Sequence, residues 1–305
     1  MRYWRVPPSA RLQPHVLCYF AALQSPTRES AERLPADIDL LLPDGYAELV
    51  FILNAGYERR VVGEKVQCDV MHSSYIIGGR SHSVLTRTFG GLVVLGVKLD
   101  PRVLRVLIGT PLSEFRDATL SLRDLNNKPL LDLEDALAGA QSVAEVGSTF
   151  DRFFLKALTD FRPSKTIVDH LLQDVQRERG AFSIMQWMRD QGTDSRNFEK
   201  RFCSWIGMTP KRYARIVRFK HSYYRFLSGE AKRGAVGSHL DDYYDQSHFH
   251  RDFRSFVGVA PSIELSTTMP HATDISNHLI QSEFEARSGR TAAAKVERRR
   301  FTTIQ

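Results

Sequence analysis

Two short sets of side chains, 51 residues apart, have the types and spacing for recognition chemistry. Arg196, Asn197, Glu199 and Lys200 form the first set. Gln246, Ser247, His250 and Arg251 form the second. Guanidinium, ammonium, amide, imidazole and hydroxyl groups of this kind hydrogen-bond base edges and pair with phosphates. The chemistry these groups suit is binding.

Each set sits in the same frame. "DSRNFEKRFCSWIGMTP" (194–210) lies over "DQSHFHRDFRSFVGVAP" (245–261), matching Asp194, Phe198, Phe202, Trp205, Gly207 and Pro210 to Asp245, Phe249, Phe253, Phe256, Gly258 and Pro261. The aromatic residues recur at i, i+4, i+7, the stripe by which an amphipathic helix faces a core. Asp194 and Asp245 stand where helix N-caps belong, and Gly207 and Gly258 where helices end. The polar sets fall on the opposite faces. Upstream of each frame is a short helical stretch and a turn, "IMQWMRDQGT" (184–193) and "AVGSHLDDYY" (235–244). Helix, turn, capped helix is the helix-turn-helix plan.

Between the copies lies "TPKRYARIVRFKHSYYRFL" (209–227), which is basic and holds no acid. As a helix it makes a rod of roughly 28 Å, at about 1.5 Å per residue. Major grooves on one side of DNA recur about every 34 Å. A rigid rod of that length would hold two reading helices one turn apart. Lys211, Arg212 and Arg215 on it are expected to neutralise phosphates.

The charge distribution agrees with that placement. The chain has 305 residues and a net charge of +7. Lys and Arg balance Asp and Glu over residues 1–163, while residues 164–265 carry a net +5. Its length allows two domains. No apolar run has the length of a membrane span, and the start lacks a signal-peptide core. Cys18, Cys68 and Cys203 form no CxxC pair, so a cytoplasmic setting without structural disulfides is expected.

The first 125 residues or so read as strands and turns. "AELVFIL" (47–53), "SYIIGG" (74–79), "SVLTRTF" (83–89) and "LVVLGVKL" (92–99) are short β-rich runs, and "PDG" (43–45) marks a turn. They predict a β-barrel or sandwich. "DPRVLRVLIG" (100–109) predicts a helix packed on it, with Pro101 in the first turn and Gly109 at the end. Residues 132–160 read as helical, with Phe150, Phe153, Phe154, Leu155 and Leu158 on an apolar side. "FRPSK" (161–165) marks the joint. A further stripe, Ile167, Val168, Leu171, Leu172 and Val175, opens the helical part.

Catalytic and metal readings of the first domain fare poorly. His15, His72 and His82 are scattered, without the two strand histidines one residue apart that metal-binding barrels use. Asp37 with Asp39, and Asp44 with Glu48, have the types for acid–base work but read better as solvated turn residues. "SYIIGGRSHS" lacks the Lys-Ser/Thr of a phosphate loop. No enzyme activity, cofactor or metal is expected. Two rivals are a ligand- or metal-dependent barrel enzyme with a degenerate helical appendage, and a regulator that acts by protein contact after losing its second motif.

Residues 164–265 resemble the DNA-binding domain of AraC-family transcriptional regulators, above all in "GMTPKRYARIVRF" and "YYDQSHFHRDFRSFVGVAP". "LLPDGYAELVFIL", "IIGGR" and "LGVKLDPRVLRVLIGTPLSEFRDATLSLRDL" resemble, more loosely, the β-rich domain that precedes it in one branch of that family. The resemblance implies an α+β chain: residues 1–162 a β-rich domain for ligand sensing or dimerisation, residues 163–265 an all-α domain with two helix-turn-helix motifs joined by a long helix, and residues 266–305 a mobile basic tail. It implies sequence-specific binding of double-stranded DNA, with Arg196, Glu199, Lys200, Gln246, Ser247, His250 and Arg251 at base-contacting positions. The implied partners are DNA, a small-molecule effector, a second copy of the chain and, in an activator, RNA polymerase. The sequence departs from the family pattern at Ser238 and Asp242, where a small residue and a glycine are usual.

Overall fold

The computed structural model describes residues 2–24, 38–62, 68–88, 91–161, 166–227 and 242–258. The tail beyond 258, the joint at 162–165 and the stretch 228–241 that holds Ser238 lie outside them.

Among the described residues ten strands form two sheets. The larger has the order β1 (Arg2–Val6), β2 (Val16–Leu23), β9 (Val93–Leu99), β4 (Ala47–Ile52), β7 (Tyr75–Ile77) and β10 (Thr119–Ser121). The smaller has the order β3 (Ile38–Leu41), β8 (Val84–Thr88), β5 (Tyr57–Val61) and β6 (Cys68–Met71). Every strand pair is antiparallel. The four sequence-predicted strands are all present, and the barrel-or-sandwich choice resolves as two facing sheets.

The alternation of β4 shows why its run is apolar throughout. Ala47, Leu49 and Phe51 join a core under the helices, whereas Val50 and Ile52 join one between the sheets. A strand covered on both faces reads as continuous apolar sequence. The helical cover consists of α1 (Pro101–Ile108), a 3-10 turn at Leu112–Phe115, α2 (Leu122–Leu125), α3 (Lys128–Ala138) and α4 (Val143–Ala157). Asp100 caps α1 through the Arg102 amide, Pro101 opens it and Gly109 closes it in the left-handed region, as the sequence predicts. The stretch 132–160 is not one helix: α3 ends at Gly139, and Ser142 caps a new start through the Glu145 amide. Phe150 and Phe154 face the sheet, and the Tyr19 ring stacks on Phe150 at 4.8 Å. The Tyr19 hydroxyl donates to Asp151 Oδ1 at 2.7 Å.

The helical half comprises α5 (Ile167–Arg177), α6 (Ile184–Asp190), α7 (Ser195–Ile206), α8 (Pro210–Leu227) and α9 (Gln246–Val257). The α5 stripe is buried at Val168, Leu171, Leu172 and Val175. A Thr166–Asp169 capping box starts the helix. The core of this half also takes in Leu40 and Leu42, with Val62 and Leu85 packed against it. Leu40 and Leu85 are cross-strand partners on β3 and β8. The smaller sheet therefore has the larger sheet on one face and the helical half on the other.

The expectation for Asp44 and Glu48 is overturned. They are not solvated turn residues. Glu48 is 4% exposed and pairs with Arg80 and with Lys98, and Lys98 also donates to Asp44. Burial by itself would raise the Asp44 carboxyl, but Lys98, Lys220 and Arg80 hold it below its ordinary value. Alternation decides this. Glu48 lies between core-facing Ala47 and Leu49, so its side chain enters the space between the sheets, where charge survives only in pairs. Cys18 and Cys203 are buried free thiols. Among the described residues no helix is long and apolar enough to cross a membrane, and no three His, Cys, Asp or Glu side chains group as metal ligands.

Replacing Glu48 with Leu leaves Arg80 without its carboxylate and Lys98 with Asp44 alone. The loss expected is about 3–5 kcal/mol of stability, read from urea unfolding of the full chain. Asp44, with its lowered pKa, stabilises the fold fully above about pH 4. That contribution is lost only as the pH falls through the lowered value. A Glu48→Leu variant within experimental error of the parent contradicts this account of the network.

Candidate nucleic-acid interface

The first frame forms as its spacing predicts. Asp194 accepts the Asn197 amide at 2.7 Å, and Gly207 ends α7 at φ 82°. Phe198 and Phe202 are buried, and Trp205 packs half-buried against the same core. Upstream, Ser183 caps α6 and Gly192, at φ 60°, turns the chain before Asp194. The Trp187 indole packs on Phe198 at 5.8 Å and donates to Asp174 Oδ2 on α5 at 2.7 Å. The outer face of α7 leaves Arg196, Asn197, Glu199 and Lys200 exposed, with Arg201 beside them.

The second frame repeats the geometry. Asp245 accepts the His248 amide at 2.7 Å, and Gly258 ends α9 at φ 89°. Phe249, Phe253 and Phe256 are all fully buried. Gln246, Ser247 and Arg251 are exposed. His250 is half-buried, and its Nε2 meets no partner among the described residues. The helix proposed before this frame (235–241) lies outside the described residues. Asp242 bonds His221 Nδ1 of α8 at 2.8 Å.

The rod is α8. Thr209 Oγ1 accepts the Arg212 amide at its start, and its 18 residues span about 27 Å. Its basic side chains are more engaged than the sequence suggests. Lys211 is exposed. Arg212 is half-buried, donates to the Ser81 carbonyl and lies 4.8 Å from the Phe256 ring centroid. Burial, then Arg215, lowers the Arg212 pKa. Arg215 donates to Asp252 Oδ1 at 2.6 Å and sits over the same ring at 5.1 Å. Arg218 reaches Asp252 Oδ2 at 3.3 Å and lies over Tyr243 at 4.6 Å. The Tyr243 hydroxyl donates to Asp252 Oδ2 at 2.9 Å. Burial first, then the Asp252 charge, raises the Tyr243 pKa far above its usual value.

Asp252 is thus a hub that the sequence reading missed. It is 2% exposed and pins α9 to α8 through two arginines and a tyrosine. The signal was available. An acid stands within the aromatic stripe, between Phe249 and Phe256, opposite a helix carrying Arg215 and Arg218. The matching position in the first copy is Arg201, which is exposed. Tyr244, just before the Asp245 cap, is 96% exposed and went equally unremarked.

The β-rich half holds the blunt ends of both frame helices, α7 and α9. Arg116 Nε donates to the Gly207 carbonyl at 3.2 Å, and Arg105 Nη1 to the Ser204 carbonyl at 2.7 Å. Arg105 also lies over the Trp205 ring at 4.1 Å. On α9, the Phe256 carbonyl accepts Ser83 Oγ. C-terminal carbonyls lack partners within a helix, and cations there favour the dipole. The N-terminal ends, with Arg196 and Gln246, stay open.

Residues 4–121 match a family described as a domain of unknown function (DUF6597). The comparison with curated proteins gives no match. Among solved structures, the chain is similar to apo ToxT from Vibrio cholerae at 14% identity and a TM-score of 0.42, covering 81% of this chain and 96% of that one. ToxT with an unsaturated fatty acid bound gives 13% identity and a TM-score of 0.40, covering 81% and 94%.

Asp252→Ala removes the acceptor of two arginines and a tyrosine. The expected cost is on the order of 3 kcal/mol. Hydrogen exchange should show α9 losing protection while α7, which has no such hub, keeps it. Equal loss in both helices contradicts the separate role given to Asp252.

Proposed function

We propose that the chain is a sequence-specific DNA-binding transcription regulator of the AraC type. The β-rich half, residues 1–162, takes a small effector or pairs two copies. The helical half, 163–265, binds DNA. The observation that carries this reading is the duplicated frame itself. Two helices with the same aspartate cap, the same aromatic stripe and the same glycine end flank one rigid basic helix, and both present their polar faces outward.

Specificity would come from Arg196, Asn197, Glu199 and Lys200 in one groove and Gln246, Ser247, His250 and Arg251 in the next. Affinity would come from cations on phosphate. Lys211 suits that role by exposure. Arg212 and Arg215, each already bonded within the protein, serve the interface first by fixing α9 and Ser81 against α8. The function needs no catalytic step or cofactor. RNA polymerase is the further partner if the protein activates.

Genome-wide DNA occupancy by the full chain is the direct test. A sequence-independent pattern, or none, overturns the reading. At the residue level, Arg196→Ala should cost about 1–3 kcal/mol on the recovered site and far less on random DNA. Equal losses on both would make Arg196 a phosphate contact. Lys211→Ala should weaken all sequences alike and lower the salt slope by about one. An unchanged slope removes it from the phosphate set.

A further inference from the structure

We propose that Tyr244 is a contact to the DNA backbone at the edge of the second groove, its hydroxyl donating to a phosphate oxygen and its ring lying against the adjoining deoxyribose. The proposal rests on the DNA-binding reading above and adds a residue to that interface. Tyr244 is 96% exposed, whereas the next most exposed large hydrophobic among the described residues, Met185, is 66% exposed. It stands immediately before the Asp245 cap, at the open N-terminal end of α9 and two residues from Gln246. A helix that reads a major groove brings its N-terminal residues to the base edges. The residue ahead of the cap then meets the strand that borders the groove.

The exposure is built into the turn. Asp242 bonds His221 Nδ1 of α8 at 2.8 Å. Tyr243 turns inward, 8% exposed, with its ring 5.4 Å from that of Phe249 and its hydroxyl on Asp252 Oδ2. Asp245 accepts the His248 amide at 2.7 Å. The residues on both sides of Tyr244 are thus anchored, and its own side chain is left to solvent. An exposed ring gains little by burial and contributes little to the fold. On a fixed backbone, a tyrosine also has few rotatable bonds to immobilise when a partner arrives.

The first copy of the frame points to the polar end of the ring. Its matching position is Thr193, which also stands immediately before a cap aspartate. Threonine and tyrosine differ in size and share a hydroxyl, a group that donates to phosphate oxygens in protein–DNA complexes. Neither is charged. The adjoining carboxylates, Asp194 and Asp245, accept amides of their own helices. A cation beside them would compete for the cap, and a neutral hydroxyl leaves it intact. A neutral donor also releases no counterion from DNA. The contact therefore has a signature distinct from that of Lys211: it adds affinity for every sequence and nothing to the salt slope.

The test uses the full chain and two duplexes, one of random sequence and one carrying the site recovered from genomic occupancy, each titrated with salt. Tyr244→Phe removes the hydroxyl alone. It is expected to weaken binding to both duplexes by about threefold to tenfold, with the salt slope unchanged. Tyr244→Ala removes the ring as well and should weaken both further. Melting temperature and hydrogen-exchange protection of α9 should match the parent in both variants, which separates a contact with DNA from a role in holding the helix. Parent-like affinity of Tyr244→Phe overturns the phosphate bond, and parent-like affinity of Tyr244→Ala overturns the contact altogether. Loss confined to the recovered site makes Tyr244 a base reader and overturns the backbone assignment, as does a lowered salt slope or a loss of α9 protection. A parent chain that binds neither duplex overturns the DNA-binding reading and this contact with it. A parent that binds both, with variants that bind equally well, loses the contact alone.

Discussion

Both faces of the smaller sheet are covered. Its inner face meets the larger sheet through Tyr57 and Met71. Its outer face, with Leu40, Leu85 and Val62, is covered by the helical half. Burying apolar area is the main favourable term in folding, so this half does not hang from the joint as a free module. The position of the rod follows from that contact. Lys220 of α8 lies over the Tyr46 ring, and Arg212 bonds Ser81 at the approach to β8. The placement of α7 and α9 is therefore set by the strands, although the two halves are joined by one short segment.

The two frame helices are fixed by different chemistry despite their shared frame. α7 lies against α1 and the 3-10 turn, and Arg105 and Arg116 take up its last carbonyls. α9 depends on Asp252, whose carboxylate answers two cations that α8 turns inward. The two copies share one scaffold in different environments. A buried carboxylate pays where α8 offers two arginines, while at the matching Arg201 the helix faces water. Each device acts away from the exposed polar faces. The parts that set helix position and the parts suited to touch a ligand can therefore vary independently.

The frame was legible because every signal in it is local. Caps, stripe and end glycines act within one helix, and all four cap and end positions stand as the spacing predicts. Strands β4, β7, β8 and β9 were legible for the same reason. What escaped was set by long-range pairing. Glu48 reads as a surface acid until β9 brings Lys98 beside it in register. Arg215 reads as a phosphate ligand until α9 brings Asp252 to it. The polar face of each helix was visible in sequence, but which cations of the rod are engaged inside the protein was not, because their partners lie on other elements, 25 or more residues away.

Those internal pairs also bear on what a basic stretch means. Residues 209–227 hold no acid, and charge counting alone makes them a cationic rod. Their fold distributes that charge unevenly. Arg212, Arg215 and Arg218 are drawn onto Phe256, Asp252 and Tyr243, while Lys211 stays in solvent. Guanidinium groups suit such duty: they stack on rings and form directed bonds to carboxylates, and they are less strongly hydrated than an ammonium. The lysine, more strongly hydrated, is left at the surface. Although Lys220 also packs half-buried over the Tyr46 ring, the division between the three arginines inside and Lys211 outside follows from desolvation. It turns a uniform run of positive sequence into a brace with a small exposed charged edge.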